Sequence, residues 1–162
     1  MRHLILILLL TLVPGTALAL SAGDPAPDFS LPDSTGKTFT LSSLRGQFVY
    51  VDFWASWCGP CRQSFPWMNQ LSQSSRKAAL KVVAVNVDEN RADAVAFLRQ
   101  LPASFTVVFD PAGKAAASYQ LPGMPTSILI GPDGRVRWIH IGFRKNEGEV
   151  LQSRILREMS RP

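Results

Sequence analysis

Between Gln47 and Arg62 the hydrophobic period of the chain changes from two to about 3.6, and the junction carries its two cysteines, Cys58 and Cys61. Residues 47–54, QFVYVDFW, are β-branched and aromatic, which suits a strand covered on both faces. Val49, Val51 and Phe53 alternate with Tyr50, Asp52 and Trp54, so a carboxylate falls inside an otherwise apolar strand. Beyond Cys58, the residues Cys61, Phe65 and Met68 recur at helical spacing. That spacing predicts a helix from Cys58 to about Lys77, bent at Pro66, which has no amide hydrogen to donate. A buried strand feeding directly into a helix is the central unit of an α/β sheet. It also sets both cysteines at the helix's amino end.

The flanking segments complete that sheet. Residues 21–46 are broken by Pro25, Pro27, Pro32 and Gly36. There, Phe29 to Leu31 and Lys37 to Leu41 read as a hairpin around Pro-Asp-Ser-Thr-Gly, with a helical turn at Ser42 to Leu44. Leu80 to Val87 is a second core strand, followed by a helix capped by Asn90, with Asp93 in its first turn, ending near Gln100. Phe105 to Phe109 is a third strand, and a short helix covers Ala115 to Tyr119. Ser127 to Ile130 and Val136 to Ile141 form a hairpin around Gly-Pro-Asp-Gly. In the last helix Asn146 is the expected N-cap and Glu149 the acidic N3 residue. Its packed face should hold Val150, Leu151, Ile155 and Met159. The order predicts an α/β domain of three layers: a mixed central sheet with helices on both faces.

At the amino terminus, Arg2 and His3 precede an apolar run from Leu4 to Val13, and Ala17-Leu18-Ala19 follows a Pro-Gly break. This is the layout of a cleavable secretory signal over residues 1–19, leaving residues 20–162 as one domain. The apolar run alone is too short to cross a hydrocarbon core of roughly 30 Å. An uncleaved anchor is the alternative, and it would have to use the whole segment, because no cysteine follows the run to accept a lipid. The formal net charge of +5 is spread along the chain without a basic cluster, which argues against nucleic acid as a partner.

Trp57-Cys58-Gly59-Pro60-Cys61-Arg62 carries the chemistry. A disulfide across so few residues closes almost no loop and contributes little as a staple. Helix-terminal amides and the helix dipole instead favour a thiolate at Cys58, the expected attacking thiol, with Cys61 resolving the mixed disulfide. Such exchange needs no cofactor beyond the Cys58–Cys61 disulfide. A structural zinc site normally takes four protein ligands, and the chain after residue 19 offers two cysteines and His140, so no metal is expected. His140 reads as a strand-side packing residue. Asp52 has a reason to be buried if it accepts the Cys61 proton during resolution; a hydrogen-bonded structural role is the alternative. Glu89, just beyond the second strand, is either a second proton-handling carboxylate or a solvated first-turn residue. Gly123-Met124-Pro125-Thr126 enters a strand, where an exposed Met124 backbone can pair with an extended cysteine peptide. Gly59 and Pro60 place no histidine or basic side chain between the cysteines, which predicts a comparatively reducing couple.

The stretches APDFSLPDSTGK, VDFWASWCGPCR, VVAVNVDEN and GMPTSILIGPDGR resemble the exported TlpA/ResA-like branch of the thioredoxin superfamily over roughly residues 23–159. The resemblance implies a thioredoxin-like fold with an N-terminal β-hairpin extension and a helix-strand insertion between Asn90 and Phe109. It also implies roles by position: Cys58 and Cys61 as the redox pair, Asp52 and Glu89 as proton-handling carboxylates, Pro125 as an active-site cis-proline and Trp57 as the aromatic beside the reactive thiol. Met124 departs from the β-branched or hydroxyl residue common before that proline, which bears on partner choice. Family function implies reduction of selected protein disulfides in the bacterial periplasm or cell envelope, including those of apocytochrome c during cytochrome c maturation, with a membrane-linked thiol reductase as electron donor. Two alternatives stand beside this reading: a peroxiredoxin-like peroxidase, suggested by APDFSLPDSTGK, and a noncatalytic envelope interaction domain with a structural disulfide.

Overall fold

The structure, a computed structural model, describes residues 19–75 and 80–161. Residues 1–18 of the expected signal segment lie outside the described residues; the cysteine helix ends at Ser74, with Ser75 at its C-cap, about three residues before the expected end near Lys77. Strands β1 (Ser30–Pro32) and β2 (Thr38–Thr40) form the expected antiparallel hairpin, followed by a 3-10 turn over Leu41–Leu44. Five strands make the main sheet: β3 (Phe48–Trp54), β4 (Leu80–Asn86), β5 (Thr106–Phe109), β6 (Thr126–Ile130) and β7 (Val136–Ile141). Their spatial order is β5-β4-β3-β6-β7, with β3, β4 and β5 parallel and β6 and β7 antiparallel to their neighbours. The mixed sheet is thus as expected, and the segment QFVYVDFW occupies its middle, where both faces are covered.

The alternation within β3 divides the core. Val49, Val51 and Phe53 join Phe29, Leu41, Tyr119, Ile128 and Ile130 beneath the N-terminal segment and α3 (Lys114–Ser118). Tyr50 and Trp54 join Cys61, Phe65 and Met68 of α1 (Gly59–Ser74), Phe97 of α2 (Arg91–Gln100), and Leu151 and Ile155 of α4 (Gly148–Met159). Three aromatics lock the cysteine helix to the sheet: the ring centroids of Trp54 and Phe65, Trp54 and Phe97, and Phe65 and Phe97 lie 4.8, 4.7 and 4.8 Å apart. Such pairs add about 0.5–1.5 kcal/mol each beyond the area they bury. Among the described residues no helix is long and apolar enough to cross a membrane.

Helix ends show where local reading succeeds. Asn90 caps α2, its side-chain oxygen accepting the Ala92 N–H at 3.1 Å, and Asp93 lies in the first turn. Helix α1 runs through Pro66 as one element. At α4 the expectation is corrected: Glu147 holds the N-cap position, while Asn146 adopts the left-handed conformation at φ 74° and serves the turn before it. Val150 is 67% exposed. Leu151 and Ile155, four residues apart, set the inward face, and Val150 lies about 100° round the helix from Leu151. Gly113 holds the N-cap position of the short α3, and a residue that sequence reading assigned only to the preceding turn serves its first-turn amides: Asp110 accepts the N–H groups of Lys114 and Ala116 at 3.0 and 2.9 Å.

Candidate active site

Parallel pairing sets Trp54 opposite Asn86, so the chain leaving β3 and the chain leaving β4 emerge side by side. Asp88, 5% exposed, bridges them. Its carboxylate accepts the Ser56 N–H at 3.0 and 3.2 Å, the Ser56 hydroxyl at 3.0 Å and the Asn86 amide at 2.8 Å. The Val87 N–H donates to the Trp54 carbonyl and the Cys58 N–H to that of Ala55. The turn into α1 is therefore held from both sides before the first cysteine is reached. Sequence reading passed over Asp88 in favour of its neighbour Glu89; the signal that would have found it is the parallel register, which brings the residues after the two strand ends together. Glu89 is exposed, and none of the hydrogen bonds or ion pairs of the described residues engages its side chain.

Cys58 is the N-cap of α1 and Pro60 lies in the first turn, where a missing N–H costs nothing. The two cysteines form a disulfide with their Cα atoms 5.3 Å apart, and the Cys61 N–H donates to Cys58 Sγ at 3.2 Å. This is the helix-terminal donor that stabilises a thiolate once the bond is reduced. Cys61 is fully enclosed. Cys58 is also buried, at 4% exposure, but it lines a cleft of about 470 Å³ with Trp57, Gly59, Pro60, Leu121, Pro122, Gly123 and Met124. Trp57 stands out at 70% exposure. A larger groove, about 770 Å³ beside Trp67 and Phe143, has no cysteine in its lining.

The Met124–Pro125 peptide is cis. Loop bonds hold its surroundings: the Gly142 N–H donates to the Pro125 carbonyl at 2.7 Å, and the Thr126 hydroxyl to the Gly123 carbonyl at 2.6 Å. The turn and loop hydrogen bonds of the described residues leave the Met124 backbone unused. Cys58, Gly59, Pro60, Trp57 and Met124 are thus brought to one cleft, with Pro125 directly behind it.

Asp52 is 1% exposed and faces the α1 side of the sheet, where Cys61 is buried. Its Oδ1 accepts the Ser127 hydroxyl at 2.6 Å, and its Oδ2 has no partner among the described residues. Burial pushes its carboxyl up from 3.8 to about 7, against the smaller opposing pull of the Ser127 hydrogen bond. The carboxyl is consequently poised to gain or lose a proton near neutral pH, as a general acid–base group requires. Sequence reading identified Asp52 but missed Ser127, whose place opposite Asp52 depends on β3–β6 register. His140 lies on β7 with its ring centroid 5.3 Å from that of Trp138, in the strand-side position expected. No three potential metal ligands converge among the described residues.

Comparison with known proteins agrees with this geometry. The Redoxin family profile matches residues 21–153. The thiol-disulfide oxidoreductase ResA of Bacillus subtilis is 36% identical over 118 residues, covering 73% of this chain and 66% of that protein. ResA of Geobacillus thermodenitrificans is 33% identical over 155 residues, covering 91% and 89% of the two chains. A crystal structure from Chlorobium tepidum, assigned as the thiol:disulfide interchange protein DsbE, superposes with a TM-score of 0.84 at 51% identity, covering 88% of this chain and 100% of that one. The thioredoxin-like core, the cysteine pair at its helix start and these relatives together make the chain a member of the Redoxin family, among its ResA-like thiol-disulfide oxidoreductases.

Proposed function

We propose that this protein reduces selected protein disulfides outside the cytoplasm, after export directed by residues 1–19. The observation that carries the reading is the asymmetry of the pair: Cys58 lines an apolar cleft and Cys61 is enclosed. In the reduced protein the Cys58 thiolate attacks one sulfur of a client disulfide, forming a mixed disulfide and releasing the first client thiolate. Cys61 then gives its proton to Asp52 and attacks Cys58 Sγ. That step displaces the second client thiolate and leaves the Cys58–Cys61 disulfide. Two electrons from a membrane-linked thiol reductase return the pair to its dithiol form. An extended client segment pairs with the Met124 backbone and rests on Trp57, Pro60 and Met124, so recognition depends on an accessible cysteine and apolar neighbours more than on charge. Apocytochrome c awaiting haem attachment is a client of this kind, which connects the reading to cytochrome c maturation. Glu89, exposed beside the head of α2, has the lesser part in proton handling.

The reading is tested by Cys61→Ala. Without the resolving thiol, mixed disulfides should accumulate in cells, and mass mapping should place every linkage on Cys58. Linkages found in the converse Cys58→Ala variant, on Cys61, would reverse the assignment. Turnover of hydrogen peroxide at a rate matching disulfide exchange would favour a peroxidase instead.

A further inference from the structure

The cleft at Cys58 and the larger groove beside Trp67 share both of their walls. Along α1, Gly59 lines the cleft while Gln63, Pro66 and Gln70 line the groove. These four recur at helical spacing, so they lie on one face, and all four are exposed. On the opposite wall the Gly142 N–H donates to the Pro125 carbonyl at 2.7 Å. That bond ties the chain entering Phe143, in the groove, to the proline that follows Met124, in the cleft. Beside it stands Ile141, 57% exposed, close enough to Gly123 that a Cβ there would lie 3.8 Å from its Cγ2. An apolar path therefore leads from the reacting sulfur into the groove.

We propose that the groove is a second client subsite, holding one aromatic or large aliphatic side chain carried about four residues from the cysteine under attack; this rests on the reading of the protein as a reductant of protein disulfides. The spacing follows from geometry. From Cys58 to Pro66 and Trp67 the helix advances about 12–14 Å, and an extended strand covers that span in about four residues. The chemistry follows from the lining. The rings of Trp67 and Phe143 lie with centroids 5.6 Å apart and planes inclined at 34°, and Tyr50 holds Trp67 from behind, edge-on, so the aromatic surface is set before a client arrives. Gln63 and Gln70 each carry an amide that both donates and accepts, as a peptide main chain requires.

Charge selects against other occupants. The groove's charged residues are Lys145 and Glu149, one of each sign, so it attracts neither an acidic nor a basic segment. Arg62, the cation nearest in α1, is engaged elsewhere: its guanidinium stacks 4.8 Å from the centroid of Phe97 and donates to Gln100. A client chain is also delivered to the groove by the reaction itself. Once Cys58 Sγ has bonded to one client sulfur and the other has left as a thiolate, the chain is tethered beside the groove at high effective concentration, and a modest contact suffices to hold it. Contacts this far from the reacting sulfurs are made equally in the bound and transition states, so they lower KM and leave kcat alone.

The experiment gives the reduced protein symmetric disulfides of alanine-rich peptides with one cysteine each. A single phenylalanine is moved along the peptide through both flanks of that cysteine, and release of peptide thiol is followed. Phenylalanine about four residues away on one flank should lower KM about fivefold, the order that an aromatic contact contributes, with kcat unchanged. The same residue on the other flank should match the all-alanine peptide. Phe143→Ala should bring the two KM values to within about twofold of each other, and Gln63→Ala, an exposed position where folding is not at stake, should narrow the gap part of the way. One KM for every phenylalanine position, or a preference that survives both substitutions, would overturn the subsite. Sedimentation showing a pair of molecules that Phe143→Ala separates, with a flat peptide profile, would assign the groove to a second copy of the chain instead. If no peptide disulfide is consumed, the reductase reading itself fails; if all are consumed at one rate, that reading stands and the groove has no part in it.

Discussion

Asp88 accepts both the backbone N–H and the hydroxyl of Ser56, and so fixes the turn that delivers Cys58 to the head of α1. The relationship joins the end of one strand to the cysteine carried beyond the end of its neighbour. Asp88→Ala removes a buried acceptor and leaves the Asn86 amide and Ser56 N–H without their partner, a loss of about 1–3 kcal/mol. Ser56→Ala, which keeps the backbone bond, should cost less. Urea unfolding of the oxidised protein measures the stability difference. The initial rate of client reduction should fall further in Asp88→Ala than in Ser56→Ala, because only the former frees the turn before Cys58.

Asp52 should make stability depend on pH in the sense opposite to a salt-bridged carboxylate. Its folded value, about 7, is raised from 3.8, so between those values the native state holds a proton that the unfolded chain has lost. Stability therefore falls as pH rises through that window, and the full cost is present above about pH 7. Asp52→Asn removes the cost. We expect the variant to gain a few kcal/mol, ~4 at most, near pH 8 and almost nothing near pH 4, while losing speed in the resolution step. A variant no more stable than its parent at both pH values in urea titrations would show that the buried carboxyl carries no such penalty.

Gly148 begins α4, where replacing glycine by alanine ordinarily stabilises an exposed helix by up to about 1 kcal/mol. Here a Cβ would fall well inside contact distance of Cδ1 of Trp67, and Trp67 is itself held edge-on to Tyr50, with ring centroids 5.6 Å apart. The ring has little freedom to retreat, so overpacking should win and Gly148→Ala should destabilise by about 1–3 kcal/mol. Thermal unfolding checks the sign: a raised midpoint would mean that α4 can shift to accept the methyl group.

The parts of this molecule that were legible in the sequence are those fixed by local pattern. QFVYVDFW announces a central strand because both of its faces are apolar, and Cys58 announces a helix start because the period changes there. Asn90 is readable as a cap from its own side chain. What was not legible depends on pairing between distant strands. Ser127 becomes Asp52's partner only through the antiparallel β3–β6 register, and Asp88 meets Ser56 only because β3 and β4 end side by side. Asn146 misled because the last helix starts after a left-handed turn, which a capping pattern alone does not distinguish from an N-cap.

Gly59 and Pro60 bear on the direction of electron flow. The pair's potential is set by how much the reduced protein is stabilised relative to the disulfide, and stabilising the Cys58 thiolate makes the couple more oxidising. In this protein that help comes from the α1 terminus and the Cys61 N–H at 3.2 Å from Cys58 Sγ, and no basic side chain stands between the two cysteines. Pro60→His would add one, with a cation able to face the thiolate. Each pKa unit by which it lowers the thiol corresponds to about 1.4 kcal/mol, or about 30 mV for this two-electron couple. We expect a rise of roughly 30–60 mV, together with a lower Cys58 pKa and slower reduction of clients. Equilibrium titration against glutathione gives the potential, and thiolate absorbance across pH gives the pKa. A potential that stayed fixed while the thiol pKa fell would mean that the disulfide form is stabilised equally, and that the composition of the intervening dipeptide does not set this protein's direction.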